Sequence, residues 1–343
     1  MSHRVGFARW RSDLPSGGNR YDDEVAAALP RLGVDVRPYA VSGSWPLPAP
    51  GDRARLGALL TAERRWLIGN IVASAAPEAV RAATADGRRV TLLVHYFPAD
   101  DTALTDEQRE RVARSEHQAV HAATAVVVTS RWAAEEVAAR YGRDDAVVAR
   151  PGVGPAPLAP GSAPAGRPPR LLWLGRLSPD KDPLTLVDAL THLADLGWSA
   201  LLVGPDGVDA RLTRQVHDRI AQAGLAGRVR VTGPLEGRRL QTVWSVTDLL
   251  VHTSRSETFG MVVSEALARG IPSVVAAGTG AVEAQRVGAT FPPGDPGALA
   301  DTLRAWLTDP RRRDRWRSAA AALRGRLPTW RDTAAAVAAA LTG

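Results

Sequence analysis

The chain has 343 residues, a formal charge of +7 and no cysteine; 45% of its residues are hydrophobic and 23% charged. That is the composition of a globular protein long enough for two cores, and it excludes disulfides and thiolate metal sites. No apolar run approaches the roughly 20 residues of a membrane span, and the start lacks the apolar stretch of a secretory signal, so a cytoplasmic protein is expected.

The charge is unevenly placed. Residues 1–150 carry 20 basic and 19 acidic side chains, so nearly all of the excess falls in 151–343. No nucleic-acid recognition motif accompanies it, and a solvated arginine-rich surface or an anionic small ligand accounts for it better than a nucleic acid does.

In chain order, RVGFAR reads as a first strand and SGGNR as a loop in which Gly17 and Gly18 allow close backbone approach. YDDEVAAALPRLG has helical spacing, which places Asp22, Asp23 and Glu24 in a first turn, where acids suit the helix dipole. VDVRPYAV, RWLIGNIVA, RVTLLVHYF and TAVVVTS read as strands; PEAVRAATADG and TDEQRERVARSEHQAVHAA read as helices between them. Strands alternating with helices predict a parallel, doubly wound sheet. Residues 151–170, PGVGPAPLAPGSAPAGRPPR, have linker composition. The alternation then restarts with RLLWLG, SALLVG, RVRVTG, DLLVHTS and PSVVAA as strands. The expected organisation is a domain over 1–155, a linker over 156–170, a second domain over 171–327 and a terminal helix over 328–343. Two such sheets facing each other predict a cleft beyond the carboxyl ends of their strands, where open α/β sheets bind ligands.

Lys181 is the only lysine in the chain, and it stands in GRLSPDKDP, five residues after Arg176 and just past the strand RLLWLG. Two cations in a loop at a strand's carboxyl end suit a diphosphate: arginine grips two oxygens, lysine offers a compact charge. Further on, ETFGMVVSE spaces Glu257 and Glu265 around Phe259, Gly260 and Met261. A glycine at a helix start exposes backbone N–H groups to an anion, and carboxylates beside an anion site suit sugar hydroxyls. GTGAVE, with Thr279, Gly280 and Glu283, and then FPPGDPGALA follow.

These four motifs, in this order, resemble glycosyltransferase family 4, a retaining family with the GT-B fold; the likeness lies chiefly in the second half. It implies two Rossmann-like domains and a hexose moved from a nucleoside diphosphate sugar, UDP by default, to a small-molecule acceptor without a metal ion or bound cofactor. It implies that Arg176 and Lys181 hold the diphosphate, Glu265 the ribose and Glu257 the transferred sugar, with backbone contacts at Phe259, Gly260 and Met261. Thr279, Gly280 and Glu283 fall in the family's later glycine turn, where Thr279 replaces a glycine. Arg255 stands where the family has no arginine and suits a surface or an anionic sugar. In the first half, Gly17 and Gly18 resemble the glycine loop on the donor side, and His95, at the end of RVTLLVH, the histidine near the reacting carbon. Tyr96, Asp100, Asp101, Arg114 and Arg131 are acceptor-side candidates. The segment LPTWRDTAAAVAAAL resembles a last helix that returns to the first domain. His117 and His121 share a helix face as some zinc ligands do, but no third ligand is evident, and no metal site is expected. A same-fold epimerase or phosphorylase, or a non-catalytic nucleotide-sugar binder, remains an alternative, and membrane contact is not favoured.

Overall fold

Short apolar runs ended by glycine or a cap build two sheets in the computed structural model, which describes residues 3–10, 16–101, 104–163 and 166–342. The first sheet holds β1 (His3–Arg9), β2 (Val34–Ala40), β3 (Arg65–Gly69), β4 (Arg89–Val94), β5 (Ala125–Val128) and β6 (Val147–Val148), in the order β2-β1-β3-β4-β5-β6. The second holds β7 (Arg170–Leu174), β8 (Ser199–Val203), β9 (Val229–Val231), β10 (Leu249–His252), β11 (Ser273–Ala276) and β12 (Gly288–Phe291), in the order β12-β11-β10-β7-β8-β9. The described pairings are parallel, with registers such as Ile68 beside Leu92 and Leu172 beside Leu201. Helices cover both faces, so central strands are continuously apolar: Trp66, Leu67 and Ile68 of β3, and Val126 to Val128 of β5, have no exposure.

The chain forms two units, one of Met1–Gly152 with Pro328–Gly343 and one of Val153–Leu327. In the first, the helix Trp330–Thr342 packs on the helix Gly17–Ala28, and Thr333 Oγ1 donates to the Arg150 carbonyl at 2.7 Å. A Cβ on Gly152 would fall 2.2 Å from Trp330 N, so the returning chain needs glycine there. In the second unit, the segment 156–162 runs between exposed Pro157, Leu158 and Pro160 and buried Ala159, Gly161 and Ser162. Ala159 N donates to Arg269 O and Gly161 N to Ser245 O, both at 2.9 Å.

Each sheet has one point where strand order reverses. β2 lies to one side of β1 and β3 to the other; β8 and β10 flank β7 in the same way. Loops leaving these strands diverge and open a crevice at their carboxyl ends.

Three local readings of the sequence change. The first helix begins at Gly17, because Ser16 caps it by accepting from Asn19 N at 3.0 Å. Gly17 and Gly18 are therefore in its first turn, not in a loop, and Asp22, Asp23 and Glu24 come after that turn; residues 11–15 before it lie outside the described set. The run RWLIGNIVA is strand only to Gly69, and Asn70–Ala73 is a helical turn, since the Asn70 side chain is engaged by two other segments, His95–Tyr96 and Glu116. Two further helices, Pro50–Leu59 and Arg131–Tyr141, interpose between strands, the second capped by Ser130 Oγ accepting from Ala133 N at 2.9 Å.

Candidate functional site

In the second unit the loop after β7 carries Arg176 and Lys181 and turns into the helix Pro183–Thr191 through Asp182. Asp182 adopts φ 47°, unusual for a residue with a side chain, and its carboxylate caps the helix by accepting from Thr185 N at 3.3 Å and Thr185 Oγ1 at 2.7 Å. Three consecutive residues after β10 hold this loop. Thr253 Oγ1 accepts from Trp173 Nε1 and stands 2.8 Å from the carbonyls of both Lys181 and Asp182. Ser254 Oγ donates to Asp180 O at 3.2 Å, and Arg255 N donates to the same oxygen at 2.8 Å. Arg255 Nε pairs with Asp182 Oδ2 at 2.7 Å, so its guanidinium is committed to this strap.

The Lys181 ammonium thus lies 2.8 Å from Glu257 Oε2 and 3.6 Å from Asp180 Oδ2, while His252 Nε2 is 3.6 Å from the same Glu257 oxygen. Burial pushes the Lys181 pKa down, but the charges of Glu257 and Asp180 outweigh it and raise the net value. For Glu257, burial pulls upward and the positive field of Lys181, with His252 close by, overrides it, so the carboxyl stays far below its ordinary range. Arg176 is partly buried, acts on Lys181 electrostatically, and its guanidinium has no hydrogen bond or ion pair among the described residues.

Beside this pair the helix Met261–Ala268 starts at Gly260, which has φ 77° and no side-chain cap. A Cβ there would meet Ala281 Cβ at 3.0 Å, and one on Gly280 would fall 2.1 Å from Thr258 O. Two glycine turns therefore abut, joined by Gly280 N donating to Glu257 O at 2.7 Å. Phe259 is buried beneath them, leaving only its main chain toward the turn. Glu265 is in the helix's second turn, partly buried, and Glu283 sits in the short helix Ala281–Ala284. The Thr279 hydroxyl donates to Ala276 O at 3.3 Å.

In the first unit His95 follows β4, with Nε2 2.7 Å from Asp22 Oδ1, the Tyr21 ring edge-on at 4.9 Å, and its N–H donating to Asn70 Oδ1 at 3.2 Å. Gly18 and Asp22, four apart on one helix face, both meet His95; a Cβ on Gly18 would touch its ring at 3.7 Å. Asp22 had been read only as a helix acid. Its role follows from the cap at Ser16, which sets the helix phase. Tyr96 O accepts from Asn70 Nδ2 at 2.5 Å, and partly buried Asp101 follows on the same loop. Asp100 is held by Arg140 through two bonds of 2.7 and 3.1 Å. Arg131 is the exposed first residue of its helix. Exposed Arg114 pairs with Glu110 at 3.3 Å and lines a concavity of about 290 Å³ with Arg53, Arg111, Ser74, Ser115 and Gln118. His121 Nε2 lies 2.7 Å from Tyr141 O.

The sequence reading also missed Glu116, which has no exposure. It accepts from Tyr141 OH at 2.6 Å, Asn70 Nδ2 at 3.0 Å and Ser74 Oγ at 3.1 Å. Burial pushes its pKa up to about 7, against those three hydrogen bonds and the charge of Arg140.

Residues 159–323 match the family model of glycosyl transferases group 1. The match spans Arg176, Lys181, Glu257, Gly260, Glu265 and Glu283. A D-inositol 3-phosphate glycosyltransferase of Xylanimonas cellulosilytica is 36% identical over 241 residues, 65% of this chain and 57% of that one. Its namesake from Stackebrandtia nassauensis is 33% identical over 259 residues, 70% of this chain and 57% of that one. The chain thus spans little more than half the length of these curated relatives. Among solved structures, HepE of Anabaena in complex with UDP and glucose superposes with a TM-score of 0.76 at 20% identity, covering 99% of both chains. Sucrose-phosphate synthase of Thermosynechococcus elongatus gives 0.80 at 19% identity over 98% of each. At such identities the likeness shows the fold, which is GT-B. No helix among the described residues is long and apolar enough to cross a membrane.

Proposed function

We propose that this protein is a retaining glycosyltransferase that moves a hexose from a UDP-sugar to a small-molecule acceptor without a metal ion. The observation that carries the reading is the Lys181–Glu257 pair beside Arg176, which has no ion pair among the described residues, at the β7–β10 reversal, inside the segment matching glycosyl transferases group 1. A diphosphate needs two compensating charges, and Arg176 and Lys181 supply them from one loop. The need grows during reaction, because negative charge accumulates on the departing phosphate oxygen as the bond to the sugar carbon breaks. Glu257, acceptor-only when ionised, takes hydrogen bonds from the sugar's hydroxyls, and Glu265 does the same for ribose. The acceptor hydroxyl attacks the face the phosphate leaves, and its proton passes to that phosphate oxygen. No pair of catalytic carboxylates of the glycosidase kind is then required. His95, oriented by Asp22, serves the sugar side. For the acceptor we favour the first unit's concavity, where Arg53, Arg111 and Arg114 suit a small molecule bearing an anionic group. The relatives' name specifies a phosphorylated acceptor for those proteins.

The test is thermal unfolding with UDP in excess chelator, followed by UDP release from a panel of UDP-sugars. UDP is expected to raise Tm in the chelator, since a ligand stabilises the state it binds. A shift that appears only with a divalent ion would overturn the metal-free reading.

A further inference from the structure

His252 ends β10 beside Val275 of β11, on the face of the second sheet where Leu250, Val275, Phe259 and Val263 form an apolar cluster. Its side chain is 7% exposed, and its buried Nε2 has no hydrogen-bond partner. A buried polar nitrogen without a partner is costly, and a leucine would pack on this face at less cost. One group stands opposite that nitrogen: Glu257 Oε2, at 3.6 Å, just beyond hydrogen-bond reach. The Lys181 ammonium already holds the same oxygen at 2.8 Å. Glu257 Oε1 makes no hydrogen bond among the described residues.

Lys181 cannot serve two anions equally. In the transferase reading a donor's diphosphate draws the ammonium away from Glu257, and a carboxylate only 19% exposed is left without its cation. Losing one partner of a buried ion pair is strongly destabilising, so this loss would weaken donor binding. Arg176, the other cation of the loop, is needed at the diphosphate itself. His252 Nε2 has only to close from 3.6 Å to the ordinary length of about 2.9 Å to replace the bond that Lys181 gives up. An imidazole with its proton on Nε2 donates to a carboxylate whether or not the ring is charged.

We propose that His252 is a positioning residue that takes over Glu257 when Lys181 turns to a diphosphate. Its Nε2–H then holds Glu257 Oε2, the carboxylate stays ionised and in place, and Oε1 remains for a sugar hydroxyl. Lys181 is released to the phosphate without an orphaned anion behind it.

The proposal rests on the transferase reading only in its ligand arm. Lys181→Met imitates the departed ammonium with no ligand present, and thermal unfolding reads the result. His252→Leu alone should move Tm by no more than about 2 °C, because Lys181 still covers Glu257 and leucine suits the apolar face. In the Lys181→Met background the same substitution should lower Tm by at least about 4 °C more, the worth of one hydrogen bond to a charged group. His252→Gln keeps an N–H donor and should recover most of that loss, and adding Glu257→Gln should abolish it. Equal shifts from His252→Leu in both backgrounds would overturn the proposal and leave a packing role. In the ligand arm, calorimetry with UDP in excess chelator gives Kd. His252→Leu should weaken UDP about tenfold and His252→Gln less than about threefold, and neither should matter once Glu257 is glutamine. A Kd untouched by His252→Leu overturns the take-over. If the protein carrying both Lys181→Met and His252→Leu does not fold, the ligand arm decides alone. An extra Tm loss in a protein that binds no UDP would sink the transferase reading and leave the hold of His252 on Glu257 standing. UDP binding with equal shifts in both backgrounds would do the reverse.

Discussion

Lys181→Ala tests the site most directly. In the free protein the ammonium is 2.8 Å from Glu257 Oε2, with side chains 20% and 19% exposed. Exposed pairs contribute about 0–1 kcal/mol, whereas removing one partner of a fully buried pair costs about 3–5 kcal/mol. At one-fifth exposure a loss of about 2 kcal/mol is expected, which lowers the Tm of a unit this size by about 4–8 °C. The pH dependence has a definite sign. Despite burial, Lys181 and His252 keep Glu257 well below its ordinary value of 4.5, so the pair stabilises above that pH and loses its contribution in acid. The variant should therefore lose less stability on acidification than the wild type. The larger effect is on turnover. Arg176 still holds the ground-state diphosphate, so donor Kd should weaken by no more than about tenfold. The charge on the leaving oxygen loses its partner, which costs about 3 kcal/mol, or about a hundredfold in kcat. The assay is UDP release at saturating donor, set beside a calorimetric Kd for the same variant. Wild-type turnover at saturation would show that the chain's one lysine is not where its chemistry lies.

Other substitutions separate the remaining roles. Glu257→Gln removes the anion that competes for Lys181, so bare UDP should bind at least as tightly by calorimetry while use of the UDP-sugar falls; weakened UDP binding would refute this. Glu265→Ala should weaken bare UDP by about tenfold, one hydrogen bond to a charged group; an unchanged Kd would remove it from the ribose. Thr253→Val keeps the shape but leaves Trp173 Nε1 without an acceptor and frees the carbonyls of Lys181 and Asp182. Calorimetric unfolding should show a loss of about 1–3 kcal/mol, and a Tm equal to wild type would mean the strap does not hold the loop.

Some of this protein can be read from the order of its residues alone. Apolar runs alternating with helical spacing are local signals, and they suffice for two parallel sheets. The isolation of Lys181 in GRLSPDKDP, the spacing of Glu257 and Glu265, and the glycines at 260 and 280 are likewise written in short segments. Local signals failed where two of them competed. SGGNR was read for its glycines, yet Ser16 caps a helix that includes them. RWLIGNIVA was read for its apolarity, yet Asn70 ends the strand's run by bonding to partners 25 to 46 residues away. The sequence suits Arg255 to a surface or an anionic sugar, yet its guanidinium ties Asp182 from 73 residues away. Strand order decided the rest. Alternation says that β7 and β10 belong to one sheet but not that they are neighbours, and only that adjacency brings Lys181 to Glu257 across 76 residues. The same holds for His95 on Asp22, 73 residues apart, and for Glu116 under Asn70. Spacing along the chain selects which residues can do chemistry. Hydrogen-bond partners depend on which distant segments the folded sheets lay side by side, and no local pattern encodes that.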